Sequence, residues 1–465
     1  MTFSDTVAAI GTPFGKGGIA VIRISGDQAI TIASRMFHPL SGRPVEALSP
    51  RTATYGTVFD PDDPTHSLDD AVCTIFRSPH SFTGEDTVEI ACHGGVLITR
   101  RILAAAFAAG ARQATAGEFT RRAYLNGKLG LEQAEALGNL LDAGNDEQVA
   151  LARAGMHGYL GRAMDGVYDT LCGVLANLEA GMDFPEENLT ELTREELIAA
   201  VTDARRRVTD LMATYRTGHA IAEGVPTVIC GRPNVGKSAL YNRLVGREAA
   251  IVTAIPGTTR DVLSDTVSCG RVTLRLSDTA GLRDTEDVVE RMGIDRARTA
   301  MDEAELILAL FDPTDPDPSD AALISEIKAT GKTVLWILTK SDLADGRPDA
   351  LPDARPAGLP ADCITLSAQT GQGMDALAAA VEAAFIDGNL RTEAEAVVFS
   401  ARQHAALSHA AADLSRALEN LQYGITYDIC AEDIREAMGS LGELCGRSVR
   451  EDVIGEIFAR FCVGK

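Results

Sequence analysis

A glycine-rich segment between a strand pattern and a helix pattern constrains this chain more than any other feature. The apolar run at residues 226–230 leads into GRPNVGKS at 231–238, and a helical pattern follows at once. This order is the strand, phosphate-binding loop and helix of a P-loop fold. Loop N–H groups and the helix N-terminus attract phosphate oxygens, while Lys237 suits the β- and γ-phosphates and Ser238 suits Mg²⁺. The segment therefore predicts nucleotide contacts from Asn234, Val235, Gly236, Lys237, Ser238 and Ala239.

Three later segments indicate that the base is guanine. Asp342, in TKSD at 339–342, can accept hydrogen bonds from the N1–H and the exocyclic amine of guanine, and adenine offers neither donor. DTAG at 278–281 can hold Mg²⁺ through water and reach the γ-phosphate, and Ser-Ala at 367–368 completes the base pocket. In order and spacing these segments resemble the motif set of translation-factor-class GTPases. The contacts that they predict are Asp278, Gly281, Thr339, Lys340, Asp342, Ser367 and Ala368.

Two positions depart from that motif set. Thr339 stands where those GTPases have Asn, and we expect guanine selectivity to survive through Asp342. Leu282 stands where Ras-like enzymes have the Gln that orients the attacking water. Asn234 offers a carbonyl oxygen suited to a monovalent cation, and Glu290 can orient water through an intermediary. The candidate catalytic residues are therefore Glu290, Asn234 and Lys237.

Composition limits the partners and the location of the protein. The 465 residues exceed one hydrophobic core and suggest roughly three domains. A formal net charge of −23 argues against broad binding to nucleic acid or anionic membranes, but leaves room for a local basic patch. Nine scattered cysteines without a CxxC spacing argue against disulfides and zinc. Since there is no long apolar run and no signal-peptide pattern, we expect a cytoplasmic protein without a membrane partner.

Hydrophobic periodicity divides the chain into four segments. Residues 1–118 are typical of mixed α/β structure, 119–221 are helical, 222–385 form a Ras-like P-loop domain, and 386–465 are helical again. The last segment carries an apolar stripe that needs a packing partner, at Leu407, Ala411, Leu414, Leu418 and Leu421. Because the ends of a compact domain usually lie close together, we expect the P-loop domain to be inserted into one discontinuous helical domain.

Motifs at both ends of the chain are similar to those of one family. They include TPFGKGG at 12–18, SFTGED at 81–86 and GEFTRRAYLNGK at 117–128. GTTRD at 257–261 matches the family's switch loop, and FCVGK at 461–465 matches its C-terminal signature with Val in place of Ile. Ala116 and Gly130 depart from the usual Pro and Asp. On these motifs the whole chain resembles the MnmE (TrmE) family of tRNA modification GTPases.

The resemblance implies a K⁺-activated GTPase that also binds a folate. The N-terminal domain is expected to be similar to folate-binding aminomethyltransferase domains, to form a homodimer, and to bind 5-formyl- or 5,10-methylene-tetrahydrofolate. The folate positions carried over from the family are Arg23, Glu89, Lys128 and Lys465. The K⁺ ligands carried over are Asn234, Thr253, Ile255 and Thr258, and the Mg²⁺ ligands are Ser238 and Thr259. Thr253, Thr258 and Thr259 are also expected to contact GTP.

The resemblance also implies a partner and a reaction. The partner is the FAD-dependent protein MnmG, in a heterotetramer-type complex. Together the two proteins are expected to install an aminomethyl-type group at C5 of the wobble uridine in certain tRNAs.

Three other functions remain open from the sequence. A ribosome-assembly GTPase shares the GRPNVGKS loop, although such proteins usually append a basic module that this acidic chain lacks. A folate-dependent one-carbon enzyme could use the G domain only for regulation, and a dynamin-like GTPase would need a lipid-binding segment. For Cys462 we expect a packing or positioning role, because no neighbouring feature indicates a lowered thiol pKa.

Overall fold

A computed structural model describes residues 5–183, 192–248, 264–277, 298–343, 356, 358–387, 395–445, 457–458, 461 and 463–464. The chain forms two compact units, one of residues 1–138 with 442–465 and the other of residues 139–441. Mixed α/β structure and a helical part are both present, as the sequence predicts. The domain boundaries after residues 118, 221 and 385 stay predictions. No helix among the described residues is long and apolar enough to cross a membrane.

The first unit is built on a seven-stranded sheet with the order β3-β4-β5-β6-β2-β1-β7. Side chains alternate across a strand, so Ile22, Ile24 and Ile90 are fully buried while Arg23 and Glu89 face the opposite side. The buried face packs against α1 and α2. The strands are β1 (Val7–Ile10), β2 (Ile19–Ser25), β3 (Phe37–Pro39), β4 (Thr54–Asp60), β5 (Asp63–Phe76), β6 (Thr87–His93) and β7 (Arg112–Gln113). The helices are α1 (Ala29–Met36), α2 (Val96–Ala108), α3 (Glu118–Leu125) and the first residues of α4 (Leu131–Asp142).

The last residues of the chain pack onto this first unit. Phe458 and Phe461 form an apolar cluster with Ala134, and Val463 makes a β-bridge to Ala116. Gly117 has a φ of 65°, and a Cβ there would lie 2.3 Å from the carbonyl oxygen of Phe458. Since neither the backbone angle nor the space admits a side chain, the glycine of the GEF motif is needed for the C-terminal residues to pack against it.

The second unit contains the remaining helical segments. Helix α7 (Arg194–Ala213) packs against α12 (Ala401–Tyr423), and the predicted stripe of α12 is buried at Leu407, Leu414 and Leu421. Helix α6 ends at Asp183, where the Phe-Pro pair predicts a break. The helices are α5 (Asp146–Met156), α6 (Tyr159–Asp183), α7 (Arg194–Ala213), α8 (Tyr215–Ala222), α12 (Ala401–Tyr423) and α13 (Tyr427–Cys445).

Within the second unit a six-stranded sheet has the order β13-β12-β11-β8-β10-β9. Its strand pairs are parallel except for β9, which runs antiparallel to β10 at the edge. The strands are β8 (Val225–Cys230), β9 (Ser264–Cys269), β10 (Val272–Ser277), β11 (Leu306–Phe311), β12 (Thr333–Leu338) and β13 (Ile364–Thr365). The described helices are α9 (Lys237–Glu248), α10 (Ser319–Ala329) and α11 (Met374–Phe385). Because parallel strands end at one edge, the segments after β8, β11, β12 and β13 meet there.

The two ends of this α/β part lie at one place. The Thr217 hydroxyl, in α8, donates to the carbonyl of Phe385 over 3.2 Å and accepts from the N–H of Asp387 over 3.0 Å. The Thr214 hydroxyl accepts from the N–H of Val398 over 2.9 Å. These bonds join the helix that leads into the sheet to the chain that leaves it, which is the geometry that an inserted domain requires.

Candidate functional site

The phosphate loop connects β8 to α9 through a backbone that few residues can adopt. Gly231 and Gly236 have φ values of 151° and 105°, and Asn234 has a φ of 62°. A Cβ on Gly231 would lie 2.6 Å from the carbonyl oxygen of Leu310 in β11. The loop thus packs closely against the neighbouring strand, and its N–H groups lie at the N-terminus of α9, a position suited to an anion.

Lys237 folds back over this loop. Its Nζ donates to the carbonyls of Gly231 over 2.8 Å and Arg232 over 2.7 Å. Burial lowers the pKa of the Lys237 ammonium. A partly desolvated cation beside the loop N–H groups is suited to a polyphosphate.

Arg232 anchors the same loop, a role that the motif does not predict. Its guanidinium donates to the buried carboxylate of Asp320 over 2.7 Å and lies 3.6 Å from that of Asp317. Both acids belong to an Asp-rich run at 312–320 that precedes α10 and continues into its first turn. The Asp-rich run was the sequence signal from which a cationic partner could have been predicted, because buried carboxylates next to a sheet edge need cations nearby.

The predicted base-binding segments come together at the same edge. The pairing of β12 with β13 and a 3.3 Å bond from the N–H of Ser341 to the carbonyl of Leu366 set TKSD beside Ser367 and Ala368. Asp342 is exposed in a short 3-10 helix, Ser341–Leu343, and Ser367 is fully buried. The carboxylate predicted to bind guanine therefore stands at the surface of this edge.

Thr339 connects the base side to the phosphate side. Its buried hydroxyl lies 2.7 Å from the carbonyl of Val235 in the phosphate loop and 3.2 Å from the carbonyl of Phe311. One hydroxyl proton serves only one of these acceptors at a time, and the Val235 carbonyl is the nearer. A threonine at this position therefore still fixes the phosphate loop.

Lys340 and Asp312 form an ion pair beside Thr339. Burial alone would raise the pKa of the Asp312 carboxyl, but hydrogen bonds from Lys340 and Thr314 lower it. The lysine of the TKSD segment is thereby held at the end of β11.

Several predicted residues lie outside the described part of the chain. They are Thr253, Ile255, Thr258, Thr259, Asp278, Gly281, Leu282, Glu290, Cys462 and Lys465. Their roles stay predictions. Of the predicted nucleotide contacts, the structure brings together those of the phosphate loop with Thr339, Lys340, Asp342, Ser367 and Ala368.

A second cluster of predicted residues lies in the first unit. Arg23 and Glu89 face each other on β2 and β6 and form an ion pair of 2.8 Å. The rings of Phe82 and Phe119 lie 5.8 and 5.6 Å from the Arg23 guanidinium. Lys128 donates to the carbonyl of Pro79 over 2.9 Å. The loop at residues 79–84 thus lies between the two predicted cations.

A buried charge network in the same unit was not predicted. Arg122 is fully buried and pairs with Glu118 over 2.9 Å, Asp5 over 2.8 Å and Glu85 over 3.2 Å. Burial would raise the pKa of Glu118, yet bonds from Arg112, the Thr115 N–H and Arg122 hold it at about 2. The GEFTRR motif shows these charged residues in the sequence, but it does not show that Glu118 and Arg122 are buried.

Comparison with known proteins agrees with the resemblance of the motifs. A model of the MnmE helical domain matches residues 131–462, and a model of the GTP-binding protein TrmE N-terminus matches residues 6–128. A tRNA modification GTPase MnmE from Symbiobacterium thermophilum is 43% identical over 462 residues, with 99% of each chain covered. The protein of that name from Moorella thermoacetica is 40% identical over 467 residues, again with 99% of each chain covered.

Among solved structures, Era in complex with MgGDPNP and 16S ribosomal RNA is similar at a TM-score of 0.27 and 20% identity. That match covers 51% of this chain and 98% of Era, and at this TM-score it carries no argument. The full-length relatives favour tRNA modification over the ribosome-assembly, one-carbon and dynamin-like alternatives. This chain belongs to the MnmE family of tRNA modification GTPases, and it is a GTP hydrolase that acts in tRNA modification.

Proposed function

We propose that this GTPase and an FAD-dependent partner, MnmG, install an aminomethyl-type group at C5 of the wobble uridine in certain tRNAs. The proposal rests on one observation above all. A single chain combines the phosphate and base segments of a GTPase with a separate cluster of cations and a carboxylate, Arg23, Glu89 and Lys128. The GTPase segments bind and hydrolyse GTP and so drive a conformational cycle. The cluster of cations and a carboxylate suits a carboxylate-bearing cofactor such as a folate.

GTP hydrolysis in this proposal depends on the phosphate loop. The Lys237 ammonium and the loop N–H groups stabilise negative charge on the phosphates, and the Ser238 hydroxyl at the start of α9 is an oxygen ligand suited to Mg²⁺. The Asn234 side chain offers the carbonyl oxygen that K⁺ prefers. Bound K⁺ supplies positive charge beside the phosphates, in place of an arginine finger. Thr253, Ile255 and Thr258 are the remaining proposed K⁺ ligands, Thr259 is the second Mg²⁺ ligand, and Glu290 orients water.

The folate proposal rests on the chemistry around Arg23. Arg23 contacts Glu89 through Oε1 alone, and Glu89 Oε2 has no hydrogen bond to any described residue. That oxygen is suited to the N–H edge of a pterin, while Arg23 and Lys128 suit a glutamate carboxylate. Gly464 lies against Ile10, and a Cβ there would be 2.1 Å from the Ile10 carbonyl oxygen. Because Ile10 pairs with Ile22, next to Arg23, Gly464 lies near this cluster, which supports a role for the adjacent Lys465.

Removal of Lys465 tests the folate assignment. We expect lost binding of 5-formyl-tetrahydrofolate in titration calorimetry, because one cation of the predicted folate site disappears. GTP hydrolysis should persist, because the phosphate loop and the folate cluster lie in different compact units. Unchanged folate affinity would reject the role of the C-terminus.

The reaction as a whole is tested in cells that lack this protein. Mass spectrometry of their tRNA nucleosides should show loss of the aminomethyl-type group from wobble uridine, and the wild-type chain should restore it. The Lys237→Ala and Arg23→Ala variants should both fail to restore the group. We expect Lys237→Ala to lose GTP hydrolysis and Arg23→Ala to retain it. Unchanged nucleosides in the deletion strain would contradict the proposed reaction.

The proposed assembly is a homodimer that joins MnmG in a heterotetramer-type complex. Co-purification of this chain with MnmG, measured by light scattering, should give the mass of two copies of each protein. A mass of one copy of each would contradict the dimeric part of the proposal.

A further inference from the structure

The β9–β10 hairpin occupies a special position in the sequence of the GTPase. It begins at Ser264, directly after the segment with the predicted Mg²⁺ ligand Thr259, and ends at Ser277, directly before Asp278. Its antiparallel ladder pairs Ser264 with Ser277 at the open end and Cys269 with Val272 at the turn. A change at the nucleotide can therefore reach the turn along one continuous, hydrogen-bonded element.

The turn of this hairpin is fixed by two helices. The Arg271 guanidinium grips both carboxylate oxygens of Glu147, at 2.9 and 3.3 Å, and Glu147 lies in the first turn of α5. The N–H of Arg271 donates to Glu382 of α11 over 2.9 Å. Arg271 thus links the turn to a helix that precedes the α/β part and to a helix within it.

A second set of contacts lies beside the first. Asn145 donates from Nδ2 to the hydroxyls of Ser268 at 3.0 Å and Thr273 at 3.2 Å, while its Oδ1 caps α5 by accepting from the N–H of Gln148 at 2.9 Å. The cap assigns the amide orientation, because only the oxygen can accept. The same side chain therefore fixes the start of α5 and contacts both strands of the hairpin.

Gln148 extends these contacts to the chain that leads into the sheet. Its Nε2 donates to the buried hydroxyl of Thr273 over 3.2 Å and to the carbonyl of Ile221 over 3.1 Å. Its Oε1 accepts from the N–H of Gly144 over 2.8 Å. Residues 144–148 thus contact the hairpin and the end of α8, and they form the start of α5.

We propose that Asn145, Glu147 and Gln148 form a coupling clamp with Thr273 and Arg271, through which the hairpin reports the bound nucleotide to the helical domain. These are positioning residues, and none of them is assigned to GTP binding or hydrolysis. Polar contacts of 2.9–3.3 Å are lost when their atoms separate by about 1 Å, so a small shift of the hairpin releases the start of α5. The inference rests on the GTPase activity and is independent of the proposed folate chemistry.

Hydrogen exchange of the full-length protein tests the clamp. Amides of residues 144–156 should exchange at rates that differ by at least about fivefold between GDP and a non-hydrolysable GTP analogue. In Arg271→Gln that difference should fall below about twofold, with GTP turnover within about twofold of wild type. Arg271→Lys should retain most of the difference, because it keeps a cation beside Glu147.

Arg206→Gln is the matched control, since Arg206 makes the same kind of ion pair with Asp203 and Asp210 on the exposed surface of α7. It should keep the full difference between nucleotides. Equal exchange of residues 144–156 in both states of the wild type overturns the proposal, and so does an undiminished difference in Arg271→Gln. Neither result depends on tRNA, so failure of the clamp is distinguishable from failure of the proposed modification reaction.

Discussion

At the scale of single residues, the Thr339 hydroxyl holds the phosphate loop from the base-binding side. The loop carbonyl of Val235 is its nearer partner, and the Phe311 carbonyl has a second donor in the N–H of Thr339. Loss of the hydroxyl therefore leaves one buried acceptor, on Val235, without this donor. A buried acceptor without a partner costs about 1–3 kcal/mol.

Thr339→Val preserves the shape of the side chain and removes this donor. We expect the free energy of unfolding in urea to fall by about 1–3 kcal/mol and the KM for GTP to rise, because the loop loses its tether. Thr339→Ser is the control, because it retains the hydroxyl and should resemble wild type in KM. A valine variant with wild-type KM and stability would contradict the role given to this bond.

Asp342→Asn should change the preferred base. An amide offers a donor to the exocyclic oxygen of xanthine, whereas it leaves one guanine donor without an acceptor. We expect the ratio of kcat/KM for xanthosine triphosphate over GTP to rise by about two orders of magnitude. An unchanged KM for GTP would show that Asp342 does not bind the base.

The residues of the nucleotide site could be predicted because each is part of a motif with fixed spacing. The partners of those residues could not. Arg232 is inside the motif, but its ion pair with Asp320 joins positions 88 residues apart, and only the folded sheet brings them together. The same is true of Asp312 as the partner of Lys340.

At the scale of elements, periodicity predicted strands and helices where one face is apolar. The buried stripe of α12 follows that rule, whereas continuous apolar runs predicted β8 and β12, and β8 is buried on both faces. Helix α3 does not, because five of its eight residues are buried, including Glu118 and Arg122. Arginine is rarely buried without partners, and the sequence does not show that Asp5 and Glu85 supply them.

The charge network of α3 predicts a loss of stability in acid. The folded pKa of Glu118 is about 2, below its ordinary value of 4.5, so its ionised form favours the folded state. This contribution is complete above pH 4.5 and disappears as the pH falls toward 2. Glu118→Gln should be less stable at pH 7 by about 3 kcal/mol and should lose less stability between those two pH values.

The measurement is urea unfolding of the full chain at several pH values. Hydrogen exchange of the amides of residues 112–125 reports the unfolding of the region around α3. Glu46→Gln is the control, since Glu46 is an exposed glutamate in the same compact unit. Parallel pH profiles for Glu118→Gln and wild type would contradict the assigned network.

At the scale of the whole molecule, the catalytic residues in the described part do not complete a hydrolytic site. Leu282 cannot orient water, a role that we assign to Glu290, and we expect K⁺ at Asn234 to supply the positive charge that an arginine finger provides in other GTPases. Wild-type turnover should be about ten times faster in KCl than in NaCl at equal ionic strength, which corresponds to about 1.4 kcal/mol of barrier. Asn234→Ala should lose this preference. In the Glu290→Ala variant, we expect the G domains of the two subunits still to associate in K⁺ with a transition-state mimic, while GTP hydrolysis is slow.

Equal rates in both salts for the wild type would reject K⁺ activation. Within the chain, the two helical segments around the P-loop domain predict its insertion, and the bonds of Thr217 to both ends of the α/β part are consistent with that prediction. The packing of Phe458 and Phe461 onto the first unit could not be inferred in this way, because these aromatic residues belong to a segment whose pattern is simply helical.

The Thr217 hydroxyl, in α8, joins the two ends of the α/β part that carries the nucleotide site. This hydroxyl bonds to the carbonyl of Phe385 and to the N–H of Asp387, at the end of α11. The α/β part therefore begins and ends at neighbouring positions. Two chain positions held this close can be joined by a short linker, so the residues between them can be removed without a break in the surrounding chain.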